Sequence, residues 1–380
     1  MTLNPQQLAR IRRRIAAGEN VRAALDDMPG TLFTADLAAV DAQVRHEVIG
    51  AGPVIAPLLE DPAVTDVVVN GTDVWVDRGN GMEPVDSTGL GGEEETRALA
   101  VRLAARCGQR LDDASPIVDG TFPSGVRLHA VIPPLSAEGT LISLRTHRSR
   151  VFTLDELAAA GAVAGELVPL VRRLVLGKAN VLISGATGAG KTTFLNAMLC
   201  LVPASERILI IEESAELRPA HPHVVHLQVR KANVQGAGEV TMSELVRAAM
   251  RMRPDRIVLG ECRGAEVRDV LGALNTGHEG GWATIHANST ADIPARLVAL
   301  GALANMAEST VAAQAAAGLD AAIHVRRSGR KRFLAEIAVF ERRGGELFAP
   351  VAVRVGADGV VTHDRAWNAL CERLAAKENS

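Results

Sequence analysis

A chain of 380 residues is long for one core and comfortable for two domains, and 22% charged with 47% hydrophobic residues is an ordinary soluble globular composition. The formal net charge of −3 and 3% aromatic content leave neither an electrostatic footprint nor a stacking platform for stable nucleic-acid binding. Four scattered cysteines (Cys107, Cys200, Cys262, Cys371) without a C-x-x-C point to neither a disulfide framework nor a zinc ribbon, and no run of about 18 uncharged apolar residues could span a bilayer.

Residues 1–52 read as helical. Asn4-Pro5 supplies a cap and a first-turn proline, and Leu8, Ile11 and Ile15, then Leu37, Val40, Val44 and Val48, recur on one face. No signal-peptide apolar core is seen at Met1-Thr2-Leu3-Asn4-Pro5. Gly50-Ala51-Gly52-Pro53 breaks the pattern, and residues 53–150 then read as a small α+β domain. In it, Val67–Val69 and Val74–Val76 flank a hairpin turn, a helix runs near Glu93–Arg106, and strand-like pieces follow at Phe122–Arg127 and Leu141–Arg145.

A new body, 151–380, opens with the capping box Thr153-Leu154-Asp155-Glu156, stapled by Phe152 and Leu157, and a second helix ends near Gly177 at a C′ position. Apolar runs at Asn180–Ser184, Arg207–Ile211, Val224–Val229, Arg256–Leu259 and Trp282–Ile285 alternate with helical patterns. That alternation predicts a parallel sheet covered by helices. Hairpin strands are expected at Ile323–Val325, Phe333–Phe340 and Leu347–Val353, with a last helix at Arg365–Lys377. The basic clusters Arg10 to Arg14 and Arg326 to Lys331 read as solvated faces.

The most informative stretch is Gly185-Ala186-Thr187-Gly188-Ala189-Gly190-Lys191-Thr192, a G-x-x-x-x-G-K-T between a buried strand and a helix that continues from Thr193. Glycines let the backbone turn tightly so that successive N–H groups face a polyphosphate, and the helix N-terminus adds partial positive charge. Lys191 can reach the β/γ-phosphates, and the Thr192 hydroxyl can ligate Mg²⁺. A chance match in a chain this long is expected roughly once in a hundred sequences. The stretch is read as a nucleoside-triphosphate site.

Further along, Glu212-Glu213-Ser214-Ala215-Glu216 places carboxylates after a buried strand, where open α/β sheets bind ligands. Arg256–Glu261 is a second strand ending in an acid, with Glu261 the candidate for holding Mg²⁺, directly or through water, or for orienting the nucleophile. His278 and His286 flank Trp282–Ile285. Without Cys or further His nearby, they read as phosphate-sensing or loop-coupling groups rather than metal ligands.

In chain order these elements resemble the secretion-superfamily ATPases of type II/type IV secretion and type IV pili, and within them the CpaF/TadA-type ATPases of Tad (Flp) pilus systems. The resemblance rests on Arg251-Met252-Arg253-Pro254-Asp255 leading into Arg256–Gly264, on Asn275–Gly280 with Thr284–Asn288, and on Asp66–Gly71 and Leu111–Gly120. It covers roughly residues 55–325. It implies an α/β fold with a RecA-like P-loop NTPase domain behind a smaller α+β domain and N-terminal helices. It also implies hexameric rings, ATP with Mg²⁺, a cytoplasmic position at the inner face of the membrane, and inner-membrane platform proteins as partners.

By the same resemblance, Glu212 falls in the acidic box supplying the catalytic carboxylate, Glu261 in the Walker-B box, and His278 and His286 in the His box. Arg127 and Arg145 match first-domain arginines that approach ATP phosphates. Glu213 stands where Asp is expected, which leaves the dominant acid open between Glu212 and Glu216. The alternative is a DNA-translocating RecA-like ATPase of a conjugation-type system. A protein that binds ATP without hydrolysing it would need a degraded site, whereas Lys191, Thr192, Glu212 and Glu261 are all present.

Overall fold

The computed structural model describes residues 50–79, 81–122, 124–146, 151–230, 238–329 and 331–378. The helical stripes expected in residues 1–49 lie outside them. The chain divides into two compact units, Met1–Ser149 and Arg150–Ser380.

The first unit begins with a helix that the sequence reading did not contain, α1 (Gly52–Glu60). Pro53 suits its first turn, while Pro57 interrupts it and reads as a breaker; burial of Ile55, Ala56 and Leu58 holds it helical despite the lost backbone bond. Then come β1 (Asp66–Asn70), β2 (Asp73–Asp77), β3 (Met82–Val85), α2 (Glu93–Arg106), β4 (Ile117–Thr121), β5 (Arg127–Val131) and β6 (Leu141–Arg145). The strands form an antiparallel sheet in the order β3-β2-β1-β6-β5-β4. Val67, Val69, Val74, Val76, Ile142 and Leu144 alternate onto one face and pack with Leu99 and Leu103 of α2. Phe122–Arg127, expected as a strand, is mostly the turn between β4 and β5. The Phe122 carbonyl accepts from the Gly125 N–H at 2.8 Å, with Gly125 at φ +93°.

In the second unit, α3 (Leu154–Ala159) carries the expected capping box, with Thr153 Oγ1 accepting from the Glu156 N–H and Glu156 Oε2 accepting from the Thr153 N–H. α4 (Val168–Leu176) ends one residue differently from the prediction. Gly177 is not left-handed; Lys178 is, at φ +54°. Glycine is required at 177 by proximity, since a Cβ there would lie 2.9 Å from the Arg173 carbonyl oxygen.

The chain continues through β7 (Val181–Ser184), α5 (Lys191–Leu199), β8 (Ile208–Glu212), β9 (Val224–Gln228), α6 (Met242–Ala249), β10 (Arg256–Leu259), α7 (Val267–Leu274), β11 (Trp282–Ile285), α8 (Ile293–Leu303) and α9 (Glu308–Gly318). It closes with β12 (Ala321–Ser328), β13 (Lys331–Ala338), β14 (Glu341–Arg343), β15 (Glu346–Phe348), β16 (Val351–Val355), β17 (Val361–His363) and α10 (Trp367–Glu378). The run expected at Leu347–Val353 is split between β15 and β16 at Ala349-Pro350, where proline has no N–H for a ladder.

Nine strands form one sheet in the order β17-β16-β13-β12-β7-β11-β10-β8-β9. From β12 to β9 all neighbours are parallel; β13, β16 and β17 extend the sheet antiparallel. Helices α3, α4, α5 and α10 cover one face, with Leu157, Leu174, Phe194 and Leu370 in its core. Helices α6 to α9 cover the other, with Val246, Leu271, Leu297 and Val311. Strands buried on both faces read as continuous apolar runs, which is why β7, β8, β10 and β11 were visible without any alternation.

Candidate nucleotide site

Parallel pairing aligns β7, β8, β10 and β11 so that their carboxyl ends share one edge. At that edge the chain leaves β7 through Gly185–Gly190 and enters α5 at Lys191. Gly190 caps the helix in the left-handed region, φ +99°, where a side chain would be strained. Ala186, Thr187 and Gly188 form the exposed crest of the loop. The first hydrogen bond across this helix start runs from the Phe194 N–H to the Gly190 carbonyl, so the N–H groups of Lys191, Thr192 and Thr193 are left for a ligand.

The Lys191 side chain is buried, and Nζ donates to the carbonyls of Gly185 (2.9 Å) and Ala186 (3.2 Å). Burial pushes its pKa below the usual lysine value, and the charges of Glu261 and Glu216 oppose that shift. The ammonium is held over its own loop, next to two carboxylates.

The acids come from two strands. Thr192 Oγ1 donates to Glu216 Oε2 at 3.5 Å. The loop that carries Glu216 is fastened to α5 by Asn196, whose Oδ1 accepts from the Arg218 N–H at 2.9 Å. Glu212 turns back onto its own loop. It is 4% exposed, and its Oε1 accepts from the N–H groups of Glu216 and Leu217, both at 3.0 Å. A Cβ at Gly260 would stand 2.7 Å from its Cγ, so the glycine before Glu261 makes room for it. Glu212 therefore shapes the turn that presents Glu216, and Glu216 is the carboxylate facing Thr192.

Burial pushes the Glu212 carboxyl up to about 7, against the pull of its two N–H donors. The folded chain keeps a proton that the unfolded chain releases, so this group's contribution to stability is full below the unfolded value near 4.5 and is lost as pH rises through about 7. Glu212→Gln is expected to remove that loss. Denaturant titrations at acidic and alkaline pH should show wild type falling relative to the variant by up to about 3 kcal/mol. Parallel curves would refute this placement of the proton.

Glu261 Oε1 is 2.9 Å from His286 Nε2 across the ends of β10 and β11. Burial, then Lys191, lowers the His286 pKa against the pull of Glu261. Beside them, Arg263 pairs with Glu213, tying the two acidic loops together.

His278 does not join this group. It precedes β11, whose four residues run parallel to β7 toward the loop, so His278 stands at the opposite end of the sheet from His286. A strand separates the two by about 13 Å. Within one chain, His286 is therefore the histidine placed at the phosphate-loop edge of the sheet. Arg127 and Arg145 are register partners on β5 and β6 of the first unit, with Arg145 Nε donating to Asp66 Oδ1 at 2.9 Å. The sequence reading also passed over Asn196. Its position four residues after Thr192, on the same helix face, was the available signal.

A glycine loop opening α5, an ammonium inside it, and a hydroxyl facing a carboxylate make a donor set of the kind that holds a magnesium-bound polyphosphate. Among the described residues no cluster of His, Cys, Asp and Glu forms a separate metal site.

A parallel sheet flanked by helices, with this loop after β7 and acids after β8 and β10, defines a RecA-like P-loop domain joined to a smaller α+β unit. The chain belongs to the family described as Type II/IV secretion system protein, whose model matches residues 49–343. It is 50% identical over 315 residues to a Mycobacterium tuberculosis protein whose name assigns it provisionally to conjugal transfer, across 80% of this chain and 89% of that one. It is 30% identical over 297 residues to the conjugal transfer protein TrbB of Rhizobium radiobacter, across 76% of this chain and 88% of that one. The solved structure of the pilus retraction motor PilT with bound ADP aligns over 86% of this chain and 85% of its own, with a TM-score of 0.54 and 19% identity, a likeness of fold.

Proposed function

We propose that this chain is an ATP-hydrolysing motor that acts as a homo-hexamer and drives Tad (Flp)-type pilus assembly, or type II/IV secretion, through an inner-membrane platform. The observation that carries the reading is the convergence of Lys191, Thr192, Glu216 and Glu261 at the head of α5. The Gly185–Thr193 loop, through N–H groups led by those of Lys191, Thr192 and Thr193, and the Lys191 ammonium bind the phosphates, Lys191 moving off the Gly185 and Ala186 carbonyls to do so. Thr192, and Glu261 directly or through water, would hold magnesium, which would supply charge neutralisation for the phosphates. Glu216 orients the attacking water, Glu212 holds the turn that positions it, and Glu261 with His286 faces the terminal phosphate. Arg127 and Arg145 add positive charge in the transition state from the first unit. Domain closure over nucleotide in each subunit changes the ring's shape and moves the partner. No helix among the described residues is long and apolar enough to cross a membrane, which suits a protein held at the inner face of the cell membrane by its partners.

The names of the Mycobacterium and Rhizobium relatives favour a second reading, a RecA-like ATPase moving DNA in a conjugation-type system. Phosphate release by the purified full chain with ATP and magnesium, with and without DNA, separates the two. Turnover indifferent to DNA, with ring-sized mass by light scattering, is expected. DNA-stimulated, salt-sensitive turnover would establish the second reading instead. In the same assay Arg127→Ala and Arg145→Ala should each lower kcat by about a hundredfold or more while nucleotide affinity changes little. Unchanged kcat in both would remove these residues from the site.

A further inference from the structure

The three loop glycines share a neighbour. A Cβ at Gly185 would stand 2.4 Å from the Val325 carbonyl oxygen, one at Gly188 3.8 Å from Arg327 Nη1, and one at Gly190 3.3 Å from Arg332 Cδ. All three contacts come from the β12–β13 hairpin, on which Arg327 and Arg332 are register partners. Hydrogen bonds join the same two pieces. His324 Nδ1 lies 2.9 Å from Ser184 Oγ, just before the loop, and Arg332 Nε donates to the Gly188 carbonyl at 2.9 Å. Arg327, from the basic cluster read as a solvated face, and Arg332 just beyond it therefore border the phosphate loop while both stay exposed.

We propose that Arg332 is a positioning residue of the nucleotide site, bracing the crest of the phosphate loop through the Gly188 carbonyl, with Arg327 beside it adding positive charge at the loop's outer rim. The proposal rests on the nucleotide reading of this loop. In a trans peptide the carbonyl and the next N–H point in opposite directions. A guanidinium that holds the Gly188 carbonyl outward therefore turns the Ala189 N–H inward, where it reaches the Ala186 carbonyl at 3.2 Å and closes the ring. Two guanidiniums at the rim also raise the potential felt by an incoming polyphosphate, and because both side chains are exposed, salt screens that part. Arg332 acts on the loop and does not touch reacting atoms, so its removal weakens binding more than it slows the chemical step.

The test compares wild type with Arg332→Ala, Arg332→Lys and Arg327→Gln in the full chain, by fluorescent-ADP titration, ATP turnover and melting without nucleotide. Arg332→Ala is expected to raise the Kd for ADP and the KM for ATP about tenfold, the size of a charge-assisted hydrogen bond, with kcat within about threefold and the nucleotide-free Tm unchanged. Arg332→Lys should recover affinity to within about threefold of wild type, and Arg327→Gln should weaken binding at low salt more than at high salt. Wild-type affinity in Arg332→Ala overturns the proposal, as does a loss that Arg332→Lys fails to recover and that accompanies a lower nucleotide-free Tm. If wild type captures no nucleotide, the proposed function falls as well. Capture by wild type with no effect of Arg332→Ala removes this inference alone.

Discussion

Lys191→Ala is expected to abolish phosphate release, by at least about a thousandfold, while leaving a folded chain. The two halves of that expectation have different causes. Without nucleotide, Lys191 Nζ donates to two carbonyls of its own loop, and burial already disfavours its charge. Losing the ammonium removes those bonds but also removes a desolvated charge, so the net change in stability should stay within about 1 kcal/mol. With nucleotide, the same ammonium lies inside the loop, and without it negative charge developing on the terminal phosphate loses one fixed counter-charge. Normal melting with full turnover would remove the loop from the chemistry and with it the motor reading. Lys191→Arg would not repair the defect, because a planar fork does not replace a compact ammonium in a buried loop.

The largest effect on stability is expected at the other end of the sheet. Arg256, 1% exposed at the start of β10, donates through Nε to Glu206 Oε2 at 2.6 Å and through Nη1 to the Val175 carbonyl at 2.8 Å. Its Nη2 is buried without a hydrogen-bond partner, and Lys178 Nζ lies 3.7 Å from the other Glu206 oxygen. Glu206→Ala leaves a buried guanidinium without its counter-ion and should destabilise the second unit by about 3 kcal/mol or more. For a domain of this size that corresponds to a Tm lower by about 6–12 °C. Replacing both partners with apolar residues, Arg256→Met with Glu206→Leu, should recover most of the loss, because no charge then remains to be desolvated. A double variant no more stable than Glu206→Ala would show that the pair contributes through packing instead. Glycine at 280 is part of the same arrangement, since a Cβ there would come within 2.6 Å of Arg256 Nη1.

Legibility along the chain followed locality. The elements that organise the site, β7, its loop, α5, and β8, β10 and β11, were readable because a doubly buried strand announces itself as an unbroken apolar run and a phosphate loop needs glycine at set intervals. The capping box at Thr153 and the hairpin at Val67–Val76 were local as well. What was misplaced depended on contacts made from afar. α1 persists through Pro57 because Ile55 and Leu58 are buried, and Leu347–Val353 breaks because its proline has no N–H for the ladder.

The same division separates the acids and the histidines. From the order of residues alone came the loop, its lysine and threonine, two acid-ended strands and the kind of ligand they suit, since each is a property of a few consecutive side chains. Which carboxylate faces Thr192 was decided by the Glu212 side chain turning back onto two N–H groups of its own loop. That His286 meets Glu261 while His278 does not was decided by parallel pairing, which sends the two ends of β11 to opposite edges of the sheet. That two arginines more than 130 residues beyond the phosphate loop border it was decided by β12 lying next to β7. Strand order is a long-range choice, made by the burial of both sheet faces at once, and no short stretch of residues carries it.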